Sequence, residues 1–417
     1  MRHLESIRLP LPSLRHIGRG LSPLQISNAV IAFLYAISAP VAIMLAVGTD
    51  GGLSEQELSS WVFGAFAING CLSIGMSLLY RQPLVFFWTI PGVVLLGPAL
   101  EHLDFAQVVG AFYVTGLLLL ILGLSGWVSR IMSLLPMPII MAMVAGVFVQ
   151  FGLDWVHALW KDWLIAVPMT GAFVLLSLNA RLAQRLPPMI GVLIVGVVVV
   201  ALSGGFEPSS GLHSATVQPV LFTPVFSWEA IVELTVPLAV TVLAAQNAQG
   251  IAILKDRGHN PPPNSIAAAC GATSLVTAVV GTASTCLTGP SNAIISSGGD
   301  RAHHYTGALV IGLMAIAFGI MAPVFTRLIL GAPPAFIATL AGLAMLRILQ
   351  NTFVVSFSGG FSLGAFDYIT KPINEGLLKC RIEVLLRINR TQNELKKTNK
   401  FLQNQVTERL AELSDLK

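Results

Sequence analysis

Pro83-Leu-Val-Phe-Phe-Trp-Thr-Ile-Pro91-Gly92-Val-Val is an apolar segment broken in its middle. Its first half carries the β-prone Val85, Phe86 and Phe87. A proline beside a glycine follows, and then a helical run. Proline suits the first turn of a helix, where its missing N–H costs nothing. The same grammar returns in Gly281-Thr-Ala-Ser-Thr-Cys-Leu-Thr-Gly289-Pro290-Ser291-Asn292-Ala. Thr89 and Thr288 stand where a helix cap belongs. Each stretch reads as an extended piece entering a half-helix in mid-membrane. Helix N-termini present unpaired N–H groups and partial positive charge. Two of them facing each other in a low dielectric can hold an anion such as a carboxylate. The competing reading is a pair of merely kinked spans, and the matching positions of the two segments favour the site.

Composition supplies the membrane. Of 417 residues, 54% are apolar and only 11% charged, and the mean hydropathy is +0.77. A soluble domain carries about a quarter charged residues, so an ordinary soluble enzyme is excluded. Apolar segments fall near 24–48, 57–80, 83–100, 105–125, 131–152, 162–180, 187–204, 228–253, 265–281, 284–298, 304–330 and 333–357. They predict twelve crossings and an all-α polytopic membrane protein. The net charge of +4 is small and calls for no nucleic-acid partner. The four cysteines, Cys71, Cys270, Cys286 and Cys380, show no paired spacing, which predicts neither disulfide nor metal site.

Lysine and arginine set the orientation. Arg2, Arg8, Arg15 and Arg19 precede the first span. With these in the cytoplasm, Arg81, Arg130, Arg181, Arg185, Lys255, Arg257 and Arg301 fall on the same side, and only Lys161 and Arg327 fall outside. The predicted organisation is a cytoplasmic N-terminal segment (1–23), a transmembrane domain (24–363) and a cytoplasmic tail.

The two broken segments belong to an internal repeat. The first span starts near residue 24 and the eighth near 228, and Pro91 and Pro290 are 199 residues apart. Seven crossings separate the halves, and an odd number inverts the second against the first, as in many secondary transporters. Within the eighth span, Gln246, Asn247 and Gln249 are polar residues in hydrocarbon, costly unless bonded or lining a cavity. Gln246 and Gln249 share a helical face, able either to bond a substrate or to glue helices together. Tyr35, Phe87 and Trp88 offer flat walls to an aromatic ligand, or ordinary packing. No phosphate-cradling Gly-rich loop with Lys-Ser/Thr and no nucleophile–base pair stands out, so neither ATP drive nor enzyme chemistry, and no cofactor, is expected. An ion gradient is left as the energy source. Glu233, at the outer end of the eighth span, is a weak candidate for proton coupling, most such acids simply facing water.

Phe87-Trp-Thr-Ile-Pro-Gly-Val-Val94, Ala244-Ala-Gln-Asn-Ala-Gln-Gly-Ile251, Thr288-Gly-Pro-Ser-Asn-Ala293 and the loop Leu254-Lys-Asp-Arg-Gly-His-Asn-Pro-Pro-Pro263 resemble the benzoate:proton symporter family, over residues 10–364. The resemblance implies a multi-pass inner-membrane carrier of benzoate or a similar aromatic carboxylate, with protons and the lipid bilayer as its other partners and a homodimer among the open states. More distantly the chain resembles the nucleobase-transporter fold of two inverted sevens. That likeness implies core spans over 24–125 and 228–330 and gate spans over 131–204 and 333–357. The substrate site that this likeness implies takes in Thr89, Pro91, Gly92, Gln246, Asn247, Gln249, Thr288, Gly289, Pro290, Ser291 and Asn292; Tyr35, Phe87 and Trp88 join it as the aromatic walls read from the residues themselves. Nucleobase carriers place acids in spans eight and ten; here Gln246 and Ser291 or Asn292 stand at those places, which suits an anionic substrate.

The likeness ends after Gly364. Gly364-Ala-Phe-Asp-Tyr-Ile-Thr-Lys371-Pro372 resembles the last strand and turn of a response-regulator receiver domain, so 364–390 reads as a receiver remnant and 391–417 as a helical tail. The expectation is a fusion in which the gate lacks its last two spans and coupled transport is impaired. A membrane sensor and an anion channel on the same fold are the competing functions.

Overall fold

The computed structural model describes residues 4–6, 12–37, 39–128, 130, 137–178, 188–203, 215–343, 346 and 349–350. The receiver-like stretch 364–390 and the tail 391–417 lie outside the described residues. Helix α1 (Leu14–Gly20) precedes α2 (Pro23–Ile37) and α3 (Ala39–Asp50). One long helix, α4, follows over Glu55–Tyr80. Strand β1 (Phe86–Trp88) leads into α5 (Ile90–Leu100), and α6 (Phe105–Ser125) closes the first set. Helices α7 (Met137–Lys161), α8 (Trp163–Leu178) and α9 (Pro188–Ser203) come next. The second set repeats the first: α10 (Trp228–Asp256), α11 (Pro263–Ala278), β2 (Thr285–Leu287), α12 (Gly289–Ile295) and α13 (His304–Ile320). Short helices α14 (Ala322–Leu330) and α15 (Pro334–Leu343) meet at 105°.

Among the described residues, five helical runs are long and apolar enough to cross a membrane alone: Pro23–Asp50, Glu55–Tyr80, Phe105–Ser125, Trp228–Asp256 and Arg301–Ile320. The apolar segment expected over 304–330 divides at Met321, and Pro323 opens the second piece in the first turn, where proline belongs. Arg327, an exception to the charge pattern, donates from Nε to Glu55 Oε1 at 2.5 Å, both side chains being partly buried. Its charge is thus neutralised where an isolated cation is costly.

The α6–α11 pair packs through small residues. A Cβ placed on Gly271 would lie 2.3 Å from the Leu120 backbone nitrogen, and one on Gly123 would lie 2.3 Å from that of Ala268. In lipid no hydrophobic force drives helices together, so close backbone approach supplies the dispersion contact. Gly271→Val must therefore push the two backbones apart, at a cost of about 1–3 kcal/mol or more. The variant is expected to melt at lower temperature in detergent; an unchanged melting curve would show that the helices do not meet here.

Candidate functional site

The two broken segments pair with each other. β1 and β2 form an antiparallel ribbon in the register Phe86↔Leu287, Phe87↔Cys286 and Trp88↔Thr285. Two further bonds extend it, Thr89 N to Ser284 O and Thr288 N to Val85 O, each 3.0 Å. All six strand residues are buried. Since the strands run antiparallel, α5 and α12 leave the ribbon at opposite ends, and their N-termini flank it.

A ribbon has two outer edges, and at this depth backbone polar groups need protein partners. Helix α4 supplies one edge: Ser73 Oγ accepts from Phe86 N at 2.8 Å and donates to Phe86 O at 3.2 Å. One turn on, Ser77 Oγ accepts from Leu84 N at 3.1 Å. On the other edge Ser274 Oγ accepts from Thr285 N at 2.9 Å, and Asn247 Oδ1 accepts from Leu287 N at 2.7 Å. Asn69 Oδ1 accepts from the Thr285 hydroxyl at 2.8 Å. Asn292 bridges the two segments: its Oδ1 accepts from Val85 N, and its Nδ2 donates to Val85 O and Thr288 O.

These bonds reassign several expected site residues. Asn247 and Asn292 have their side chains committed to strand backbone, so they act as braces rather than as free donors. Thr89 caps α5, accepting from Gly92 N at 3.2 Å, and its hydroxyl meets that of Thr241 at 3.3 Å. Thr288 occupies the equivalent place on α12 but makes no side-chain cap. Gln246 lies in the π-helical stretch Thr241–Asn247 of α10, and Gln249 in the α-helical turn that follows it. That wider turn changes the phase of everything after it. Gln246 is half-buried; Gln249 is exposed and lies against the start of α12, where a Cβ on Gly289 would come within 2.8 Å of its Cδ.

Phe87 and Trp88 are buried and meet Phe66, at ring-centroid distances of 5.2 and 4.9 Å. Phe66 also contacts Phe33 and Phe318. Pro91, Gly92 and Gly289 are buried at the half-helix starts, with Pro290 partly exposed. Tyr35 is half-buried on α2. Among the described residues, Trp88 Nε1, Thr288 Oγ1 and Ser284 Oγ are buried with no protein hydrogen-bond partner. Ser291 is also buried, at 2% exposure. No Lys or Arg lies in 83–100 or 281–299.

Asn69, Ser73, Ser77 and Ser274 were not among the expected residues, yet a signal existed. Asn69, Ser73 and Ser77 recur every fourth position of an apolar helix, which is a polar stripe on one face.

Glu233 lies away from the ribbon, paired with His102 beyond the end of α5. His102 Nε2 is 3.0 Å from Glu233 Oε2 and its Nδ1 is 3.1 Å from Pro98 O. Both partners are acceptors, so only the doubly protonated ring satisfies both. The hydrogen bond to Glu233 is the main cause that holds the His102 pKa above its ordinary value. On the other face of the domain, His259 Nε2 meets His304 Nδ1 at 3.0 Å. Burial first, then the charges of His304 and Arg301, lower the His259 pKa to about 4. Among the described residues no group of three His, Cys, Asp or Glu is placed to hold a metal.

The His102 pair gives a signed expectation. A raised histidine pKa stabilises fully below the ordinary value, and the contribution is lost as pH rises through the raised one. Glu233→Gln is expected to bring the His102 titration, followed by NMR, back toward its ordinary value. An unmoved titration would mean that the two side chains do not pair.

The fold is similar to the transmembrane domain of a cyanobacterial bicarbonate transporter, BicA, with TM-score 0.59 and 13% identity over 84% of this chain and 97% of that one. It is also similar to a murine Solute Carrier 26 family anion transporter, with TM-score 0.56 and 14% identity over 87% of this chain and 68% of that one. At such identities the likeness shows the fold alone. The chain is 26% identical over 325 residues to the inner membrane protein YdcO of Escherichia coli, covering 77% of this chain and 82% of that one. It is 27% identical over 330 residues to the benzoate membrane transport protein of Acinetobacter baylyi, covering 78% and 82%. The family model BenE, benzoate membrane transport protein, matches residues 20–362. The match stops short of 364–390 and lends the receiver-like reading no support. A ribbon of two broken segments in an inverted, helical transporter fold, together with the match across most of its length, assigns the chain to its family: it belongs to the benzoate membrane transport proteins.

Proposed function

We propose that the chain imports benzoate or a similar aromatic carboxylate together with a proton across the inner membrane, with its N-terminus in the cytoplasm. The observation that carries the site is the set of buried, unpartnered polar atoms around the ribbon, Trp88 Nε1, Thr288 Oγ1 and Ser284 Oγ, beside two half-helix starts. Such atoms are costly in hydrocarbon unless a ligand satisfies them. The carboxylate lies between the starts of α5 and α12 and takes hydrogen bonds from these neutral donors. With no Lys or Arg in either segment, the anion is bound without a fixed cation and is released without breaking an ion pair. Phe87, Trp88 and Tyr35 form the aromatic side of the site. Asn247 and Asn292 hold the ribbon in register, and Gln246, Gln249 and Ser291 line its approaches.

In this reading the moving core comprises α2 to α6 and α10 to α14, and α7 to α9 with α15 form the gate. We assign the coupled proton to the His102–Glu233 pair, where each ring nitrogen faces an acceptor.

Uptake of labelled benzoate into vesicles, with and without an inward proton gradient, tests the class of activity. Gradient-driven accumulation is expected, and it should be weak, in keeping with the impaired coupling read from the sequence. A channel would let the anion follow only its own electrochemical gradient, and a sensor would accumulate none. Trp88→Phe keeps the ring and deletes the N–H donor. A hydrogen bond to a charged group is worth about 1.5–3 kcal/mol, so benzoate affinity should fall by roughly tenfold or more. Ser291→Asp places a negative charge beside the ligand and is expected to abolish binding while sparing the ribbon. Unchanged affinity in both variants would put the carboxylate elsewhere.

A further inference from the structure

Two segments lie against the core, one ahead of each repeat. The stretch ahead of α10 bonds by Val217 N to Ile320 O at 2.8 Å, at the end of α13. It exchanges bonds with Ser60 near the start of α4, Val220 N donating to Ser60 Oγ at 3.0 Å. Phe222 N donates to Val279 O just past α11, and Val225 N to Ala106 O at the start of α6, each at 2.9 Å. The stretch ahead of α2 does the converse. Glu5 O accepts from the Tyr80 hydroxyl at the end of α4, 3.2 Å away. The Glu5 carboxylate sits at the start of α11, and Gly20 O accepts from Thr306 Oγ1, near the start of α13, at 3.0 Å. Exchanging the repeats (α4 for α11, α6 for α13) converts these three contact places into three of the places used by the other stretch.

The carboxylate contact is the unusual part. Helix α11 opens with Pro262 as its cap residue and Pro263 in its first turn, so it has no capping side chain of its own. The first N–H groups that the helix itself cannot satisfy are those of Asn264 and Ser265. Glu5 Oε1 accepts from Asn264 N at 3.0 Å. Glu5 Oε2 accepts from Ser265 N at 2.8 Å and from Ser265 Oγ at 2.7 Å. A carboxylate nearly 260 residues away in sequence thus serves as the missing cap, where the helix dipole favours negative charge. Glu5 also lies outside the residues that the family model matches.

We propose that the start of α11, formed by Asn264 N, Ser265 N and Ser265 Oγ, is a carboxylate-binding site separate from the ribbon, and that its ligand is the chain's own Glu5. Through it the N-terminal segment of the first repeat straps the second. The contacts of Glu5 and Gly20 tie the N-terminal segment to the transporter body, as residues 215–227 are tied by theirs. The proposal is independent of which substrate the ribbon binds.

Thermal unfolding of the purified full chain in detergent tests it without transport. Glu5→Ala is expected to lower the melting temperature by about 2–4 °C. Sodium acetate, compared with chloride at equal ionic strength, should restore the loss in Glu5→Ala and leave the unsubstituted chain unchanged. In Glu5→Ala combined with Ser265→Ala, acetate should restore less, because one of the three donors is gone. Melting of Glu5→Ala at the unsubstituted temperature would overturn the strap. An equal effect of acetate on both chains would overturn the site. Faster uptake by Glu5→Ala with unchanged melting would make the segment an inhibitor and not a brace.

Discussion

The architecture depends on one constraint: a strand ribbon sits where water cannot reach its edges. Each buried backbone group left unpaired costs about 1–3 kcal/mol, and two short strands alone can satisfy only their facing sides. The outer sides are met by Ser73 and Ser77 from α4, Ser274 from α11 and Asn247 from α10, while Asn292 ties the two segments to each other. These bonds fix which helices must flank the ribbon and how they are rotated. The glycine contact between α6 and α11 then follows from the need to hold α11 in place.

The same economy shapes the site. Polar atoms in the region divide into those spent on backbone and those left over. Asn247 and Asn292 fall in the first group; Trp88 Nε1 and Thr288 Oγ1 fall in the second. The leftovers are neutral donors, which suits an anion that must be held briefly and let go. A lysine or arginine here would bind the anion more tightly and would itself demand a counter-charge when the site emptied.

The broken segments were legible because Pro-Gly after β-prone residues is backbone grammar, independent of tertiary context. Pro91 and Pro290 therefore marked the half-helices correctly, and Thr89 its cap. The ribbon was not legible, since register depends on partners about 200 residues away. The shared face read for Gln246 and Gln249 assumes a regular helix through Thr241–Asn247, where the turn is wider. The stripe Asn69, Ser73, Ser77 lay in plain view, but its meaning required a strand edge to face. Arg327 looked misplaced as a single charge and is ordinary as the partner of Glu55.

The pairing of Phe86 with Leu287 also sets a clock on biogenesis. β1 is synthesised about 200 residues before its partner strand, which at 5–20 residues per second is an interval of roughly 10–40 s. Throughout it, Ser73 and Ser77 are already at hand to cover one edge of β1, because they precede it in the chain. The edge that faces β2 has no such protection. The nascent first repeat must therefore keep that edge in the aqueous interior of the insertion machinery, or under a chaperone, until residue 287 emerges. The two repeats are then welded in a single late step that brings the two broken segments together.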